Sequence, residues 1–271
     1  MNRTVSAHLS LEALAPARLV LSVAVAADSA DAADPGRECA DLLTVVQNDA
    51  AVAVREITDE HGTRLHLADV SAGPVQVDYR ADLTGRAHPP TARDIDLVRY
   101  LRPSRYCESD SLGPTAQAEF SGLEGAELLN SVSSWVGQKL FYVPGSSLPT
   151  DGAVRTLLAR QGVCRDYAHL VVALLRARDV PARLVSVYAP GLAPMDFHAV
   201  AEAFVDDAWQ VVDATTLAPR QSLVRIATGR DAADTAFLTT IGGGVLLQSL
   251  TVAAVVDELP RDHLGQLVRL A

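Results

Sequence analysis

The spacing of hydrophobic positions changes once along this chain. Over roughly the first hundred residues, apolar and polar positions alternate in short runs: Thr4–Leu11, Arg18–Ala26, Val52–Thr58, Thr63–Val70 and Gly73–Asp78. Runs of this kind, rich in Val, Leu and Thr, predict β-strands. Turn formers separate them, as in Asp59-Glu60-His61-Gly62 and Ser71-Ala72-Gly73-Pro74, and His61-Gly62 between two alternating runs predicts a hairpin tip. The expectation is a small antiparallel β-sandwich. His8, His61, His66 and His88 are scattered through it and read as solvated surface histidines.

Near residue 112 the period lengthens. Phe120, Leu123, Leu128, Leu129, Val132 and Val136 recur at helical intervals, which predicts a helix over 116–138. A second helix starts at Thr150 or Asp151, both good caps, and stops at Gly162. The third and most apolar runs from Cys164 to about Arg178, and Pro181 prevents its continuation. Strands follow over Ala182–Tyr188, His198–Val205 and Ala208–Asp213. Helices packed on an antiparallel sheet make an α+β domain. The expected organisation is a β domain over residues 1–110 and an α+β domain over 111–271.

Composition narrows the function classes. The chain has 271 residues, 49% of them hydrophobic, which excludes an intrinsically disordered polymer. Lys and Arg number 23 against 33 Asp and Glu, a formal charge of −10. A duplex-binding surface needs the opposite balance, and aromatics at 5% supply few stacking platforms, so no nucleic-acid partner is expected. Two segments imitate membrane signals. Leu19–Ala27 resembles a signal-peptide core but lies far from Arg3, and it reads as a strand. Thr235–Val256 carries no charge, yet its Gly242-Gly243-Gly244 and its Ser and Thr residues suit two buried strands around a turn better than a span. No membrane association is expected. Gly242–Gly244 has no following Lys-Ser/Thr, so it is not a phosphate loop. Cys39, Cys107 and Cys164 are odd in number and show no CxxC or zinc-ligand spacing. A reducing, cytoplasmic location and no metal or other cofactor are expected.

The candidate chemistry gathers around Cys164. A cysteine at a helix start sits among unpaired amides at the positive end of the helix dipole, which favours its thiolate. His169 is five residues on, about 140° around the helix, so it points away from Cys164 and suits packing or hydrogen bonding. His198 is the better base. If Asp206-Asp207 forms a two-residue turn, paired positions sum to 413, and His198 and Asp213 become diagonal neighbours on one sheet face. Glu202 shares that face as a rival carboxylate, farther along the strand. Cys164, His198 and Asp213 then provide a nucleophile, a base and a residue that orients the base, the set used for acyl transfer.

The segments Gly162-Val163-Cys164-Arg165-Asp166-Tyr167-Ala168, Val180-Pro181-Ala182-Arg183, Asp196-Phe197-His198-Ala199 and Trp209-Gln210-Val211-Val212-Asp213-Ala214-Thr215 resemble, in this order, the transglutaminase-like cysteine enzymes, whose fold also resembles papain-type proteases. The resemblance covers roughly residues 115–220. Strands ahead of it, with Leu101-Arg102-Pro103-Ser104-Arg105-Tyr106 at the junction, are similar to the small β domain that precedes this core in bacterial members. The resemblance implies a Cys164 thiolate, His198 as acid/base, Asp213 as orienter, and an acyl-enzyme formed from an amide. The backbone N–H of Cys164 is the expected oxyanion donor, with Tyr142 as a second candidate. No EF-hand-like acidic loop is present, so the chain departs from calcium-activated animal members.

Arg225–Asp234 is dense in charge, and reads either as a substrate-side loop or as a salt-bridged tie to the C-terminal strands. The expected partner is a peptide or protein substrate, with hydrolysis of its amide as the expected reaction. The alternatives are a protein-glutamine crosslinking acyltransferase and a noncatalytic interaction module that keeps the fold.

Overall fold

Residues 1–27, 38–87, 89 and 91–270 are described in a computed structural model of the chain. His88 lies outside these residues. The N-terminal half supplies β1 (Asn2–Ala13), β2 (Ala17–Leu21), β3 (Glu38–Gln47), β4 (Ala50–Ala51), β5 (Val54–Thr58), β6 (Arg64–Val70) and β7 (Gly73–Thr84). In β1, Val5, Ala7, Leu9, Leu11 and Ala13 are buried while their neighbours are not, the period of two that a half-buried strand requires. Two antiparallel sheets turn such faces inward over one core that includes Leu9, Leu11, Leu19, Leu21 and Val75. The β5–β6 hairpin turns at Gly62, whose φ is +73°. A Cβ there would lie 2.2 Å from the Ala27 carbonyl oxygen, so glycine is required. Ser22–Ala26, expected to continue the second strand, is buried but leaves the ladder.

The far end of the chain returns to these sheets. β14 (Leu238–Gly242) pairs with β2, and β15 (Val245–Val256) pairs with β1 along nearly its whole length. The strand orders are β14-β2-β6-β5 and β15-β1-β7-β3-β4. A boundary at residue 110 therefore does not separate the sheets by sequence, because residues 238–256 complete both. The glycine turn expected between two strands is present, but most of β14 and the first half of β15 are exposed rather than buried.

Between the two ends lie α1 (Asp94–Arg99), α2 (Gly113–Phe120), α3 (Gly125–Lys139), β8 (Phe141–Tyr142), α4 (Ala153–Ala159), β9 (Gln161–Gly162) and α5 (Cys164–Arg176). The single helix expected over 116–138 is two, because Gly122 and Gly125 adopt φ of +79° and +54° and turn the chain between them. All of α5 from Asp166 to Arg176 is buried. It lies against a sheet ordered β12-β11-β10-β13, made of β10 (Ala182–Tyr188), β11 (Phe197–Val205), β12 (Ala208–Val212) and β13 (Val224–Gly229), and α6 (Ala232–Thr235) follows. Asp206 and Asp207 both take positive φ, the two-residue turn expected, and every β11–β12 pair from Val205↔Ala208 to Ala201↔Val212 sums to 413. No described helix is long and apolar enough to cross a membrane.

Candidate active site

The start of α5 is built by its own sequence. Gly162 leaves no room for a side chain, since a Cβ would lie 2.6 Å from the Asp166 Cβ. Asp166 fills that space, three residues into the helix, and accepts from the Val163 N–H (2.8 Å) and the Ser147 hydroxyl (2.9 Å). This ties down the chain entering the helix. Cys164 is thus held as the first residue of a rigid, buried helix and is itself half-buried.

His198 is the second residue of β11, opposite Val187 of β10. Alternation sends Ala201 and Ala203 beneath α5 and Val200 into the core on the other face, so His198 and Glu202 share the face away from the helix body. The β11–β12 ladder stops at Ala201, which leaves the His198 end of the strand with no β12 partner. At that end the imidazole interacts with the Cys164 thiol. Its Nε2 bonds Asp213 Oδ2 at 2.9 Å, and Nδ1, which completes no hydrogen bond, is the nitrogen left for the thiol. Asp213 is fixed in turn, its Oδ1 accepting from the Thr215 N–H (2.9 Å) and hydroxyl (2.7 Å). Burial disfavours the charged imidazole, but Asp213 and the Cys164 thiol overcome it and push the His198 pKa up to about 10. Burial acts against the Asp213 carboxylate too, yet His198 and Thr215 hold its pKa below the ordinary value.

Tyr142, at the end of β8, completes the group. β8 pairs with β9 just ahead of Cys164, and the Tyr142 hydroxyl meets both the Cys164 backbone amide and its thiol. Burial and the neighbouring sulfur push the phenol up to about 12, so it stays protonated. The sequence-derived site residues Cys164, His198, Asp213 and Tyr142 are therefore in one place. A cavity of about 430 Å³ opens beside Cys164 and His198.

Residues 116–214 match the model of the transglutaminase-like superfamily. Along 96% of its length the chain superposes on 92% of a crystal structure from Cytophaga hutchinsonii, named a candidate cysteine protease, with a TM-score of 0.85 at 29% identity. Sequence and fold together support a transglutaminase-like core over residues 116–214. Its mixed fold, helices on antiparallel sheet, is that of this superfamily. The chain is also 27% identical to an uncharacterised Mycobacterium leprae protein over 140 residues, 48% of this chain and 49% of the relative. An uncharacterised Mycobacterium tuberculosis protein is 40% identical over 62 residues, 23% of this chain and 20% of the relative. The match thus spans half or less of these curated relatives.

Other residues of the chain take different places from those expected. Glu202 is no rival for His198. It is fully buried between Arg183 (2.7 Å) and Arg225 (2.6 Å), and these guanidiniums outweigh burial and hold its carboxyl down at about 2. Arg183 also lies 3.9 Å over the Trp209 ring. Arg225–Gly229 is a strand rather than a loop, and the charges after it close locally: Arg230 pairs with Asp234, and Asp231 caps α6 and accepts from the Tyr106 N–H. His169 faces away from Cys164, stacks on Tyr106 and accepts from the Ala232 N–H (3.1 Å). His8 pairs with Asp78 at the surface, whereas His61 and His66 are largely buried. Glu60, His61 and Asp96 bring three metal-type ligand atoms within 4.8 Å of one another. Arg93 and Arg99 already bond these carboxylates and Tyr100 bonds the imidazole, so the cluster is a closed polar network. Sequence spacing gave no sign of that network, whose members lie on separate elements.

Proposed function

We propose that this chain is a thiol enzyme that cleaves a peptide or protein amide through Cys164, His198, Asp213 and an acyl-enzyme, with water as acceptor. The observation that carries this reading is the chain of contacts from Asp213 Oδ2 to His198 Nε2 and from the same ring to the Cys164 thiol at the start of α5. Asp213 fixes the ring, with Nε2–H on its carboxylate and Nδ1 toward the sulfur. In keeping with the raised pKa of His198, the thiol proton resides on Nδ1 when the sulfur attacks the carbonyl carbon, forming a C–S bond. Charge on the carbonyl oxygen is met by the Cys164 N–H and the Tyr142 hydroxyl. The imidazolium gives its proton to the departing amine as the C–N bond breaks, leaving a thioester. His198 then deprotonates a water that attacks the thioester, and the thiol is restored as the acid leaves. Water is favoured over an amine acceptor by the likeness to the Cytophaga hutchinsonii protein, which carries a protease name.

Mass spectrometry after limiting iodoacetamide near neutral pH tests the nucleophile. Cys164 should be alkylated ahead of Cys107, which is buried and whose thiol burial pushes up, and ahead of the exposed Cys39. Cys164→Ala should abolish cleavage across a peptide-amide library. Labelled-amine incorporation outrunning hydrolysis would reassign the chain as a crosslinking acyltransferase. Wild type and Cys164→Ala indistinguishable in both assays would leave a noncatalytic module.

A further inference from the structure

We infer that the cavity beside Cys164 receives a bulky apolar side chain of the substrate, and that the C-terminal hairpin of the β-sandwich supplies the wall that selects it. The inference rests on the amide-cleaving reading and extends it to the substrate's class. The cavity is lined by Cys164, His198 and Phe197, and by a wall of Phe237, Leu238, Leu247 and Leu250, with the Phe237 ring 5.4 Å from that of Phe197. The reacting atoms and this wall therefore face the same space of about 430 Å³, within the range of small-molecule sites.

Two strand positions three residues apart ordinarily point to opposite faces of a sheet. Leu247 and Leu250 nonetheless line the same cavity. The β1–β15 register explains why: Leu250 pairs with Leu9 and Leu247 with Leu11, two residues of β1 on the buried face, and a bulge at Gln248 absorbs the extra position. Bulges next to functional sites commonly re-aim a side chain in this way. Here the bulge turns Leu247 inward at the rim, where it remains 43% exposed. A large apolar side chain left open beside a reactive thiol has its missing contacts on the ligand side.

The charged groups around the cavity do not favour a charged occupant. The Arg165 guanidinium is engaged by the Ser147 hydroxyl (2.6 Å) and the Leu148 carbonyl (3.0 Å), and Asp196 accepts from the Phe197 N–H at the exposed rim. Ser22 and Ser186 also line the space, and their hydroxyls make no hydrogen bond among the described residues. Those two groups make glutamine the relevant competitor for the apolar side chain.

Calorimetric titration of Cys164→Ala protein with capped pentapeptides Ala-Ala-Xaa-Ala-Ala separates binding from chemistry. With Xaa as Phe or Leu, binding should be about ten- to two-hundredfold tighter than with Gln, Lys or Asp, the range a hydrophobic pocket gives. Adding Leu247→Asp should erase that preference, and Leu247→Ala should reduce it; circular dichroism checks that both fold. Gln, Lys or Asp binding as tightly as Phe overturns the inference, as does no measurable binding of any peptide, or a preference untouched by Leu247→Asp. The alkylation of Cys164 in wild type is read separately. A sluggish thiol beside an intact apolar preference removes the enzyme reading and keeps the pocket, whereas a reactive thiol without the preference does the reverse.

Discussion

Two buried histidines in this molecule carry opposite charge tendencies. His169 lies in α5 with no carboxylate hydrogen-bonded to it; burial dominates and drops its pKa to about 3, so it is a neutral acceptor for the Ala232 N–H. His198 is as deeply buried, but the Asp213 carboxylate at 2.9 Å reverses the direction. A histidine whose folded pKa exceeds its unfolded value of ~6.5 adds stability that is complete below that value and fades as pH rises toward the folded one. For His198 the fading should run from about 6.5 to about 10. Urea denaturation should therefore show wild type exceeding Asp213→Asn most near pH 6, with a margin that narrows by pH 10; a margin growing with pH contradicts the pairing. The same substitution should cut peptide cleavage by about 10⁴-fold, because the imidazole is left free to adopt the wrong tautomer. Glu202 is a different case. Its distance along the strand from His198 predicts little effect of its loss on catalysis. As the counter-ion of Arg183 and Arg225, however, Glu202→Ala leaves two guanidiniums without their carboxylate and should destabilise the chain by ~3–5 kcal/mol. Activity per folded molecule should persist at low temperature, which distinguishes this loss from that of a triad member.

At the scale of elements, legibility followed the physics of each segment. β10 and the β11–β12 hairpin were readable because alternating runs around a two-residue Asp-Asp turn permit one register, and that register brings Asp213 to His198. α5 was readable from a buried stripe that begins at Cys164. β3 was not, since its first half is largely exposed and carries no alternation. The Arg183–Glu202–Arg225 network, the rim at Phe237–Leu250 and the partners of β14 and β15 were also illegible. Each depends on contacts between residues far apart in sequence, which no local period encodes. The Gly162-to-Asp166 segment lies between these extremes: its glycine was visible, but not the carboxylate folded back against it. Gly162→Ala forces a Cβ against Asp166 and should cost about 1–3 kcal/mol. Because the same contact seats Cys164, iodoacetamide alkylation of that residue should slow as the urea midpoint falls; a slower thiol with an unchanged midpoint would contradict the coupling.

For the whole molecule, the β14–β15 hairpin is the joint between its two kinds of structure. It completes both N-terminal sheets and at the same time walls the cavity beside Cys164. Its position in the sequence also sets a timetable for synthesis. The ribosome releases β1 and β2 early, yet Leu9 must wait for Leu250, and Leu21 for Leu238. Until then β1 and β2 are sheet edges with unpaired amides and carbonyls, the feature that invites pairing with another chain. Nascent chains stalled after Thr235 should accordingly be cut readily by protease within residues 1–27, while chains extended past Val256 and clear of the exit tunnel should resist. Equal resistance at both lengths would mean that the sandwich closes without its last two strands. On this timetable the cavity wall arrives last, so the Cys164 thiol is made and seated well before the surface that would hold a substrate against it.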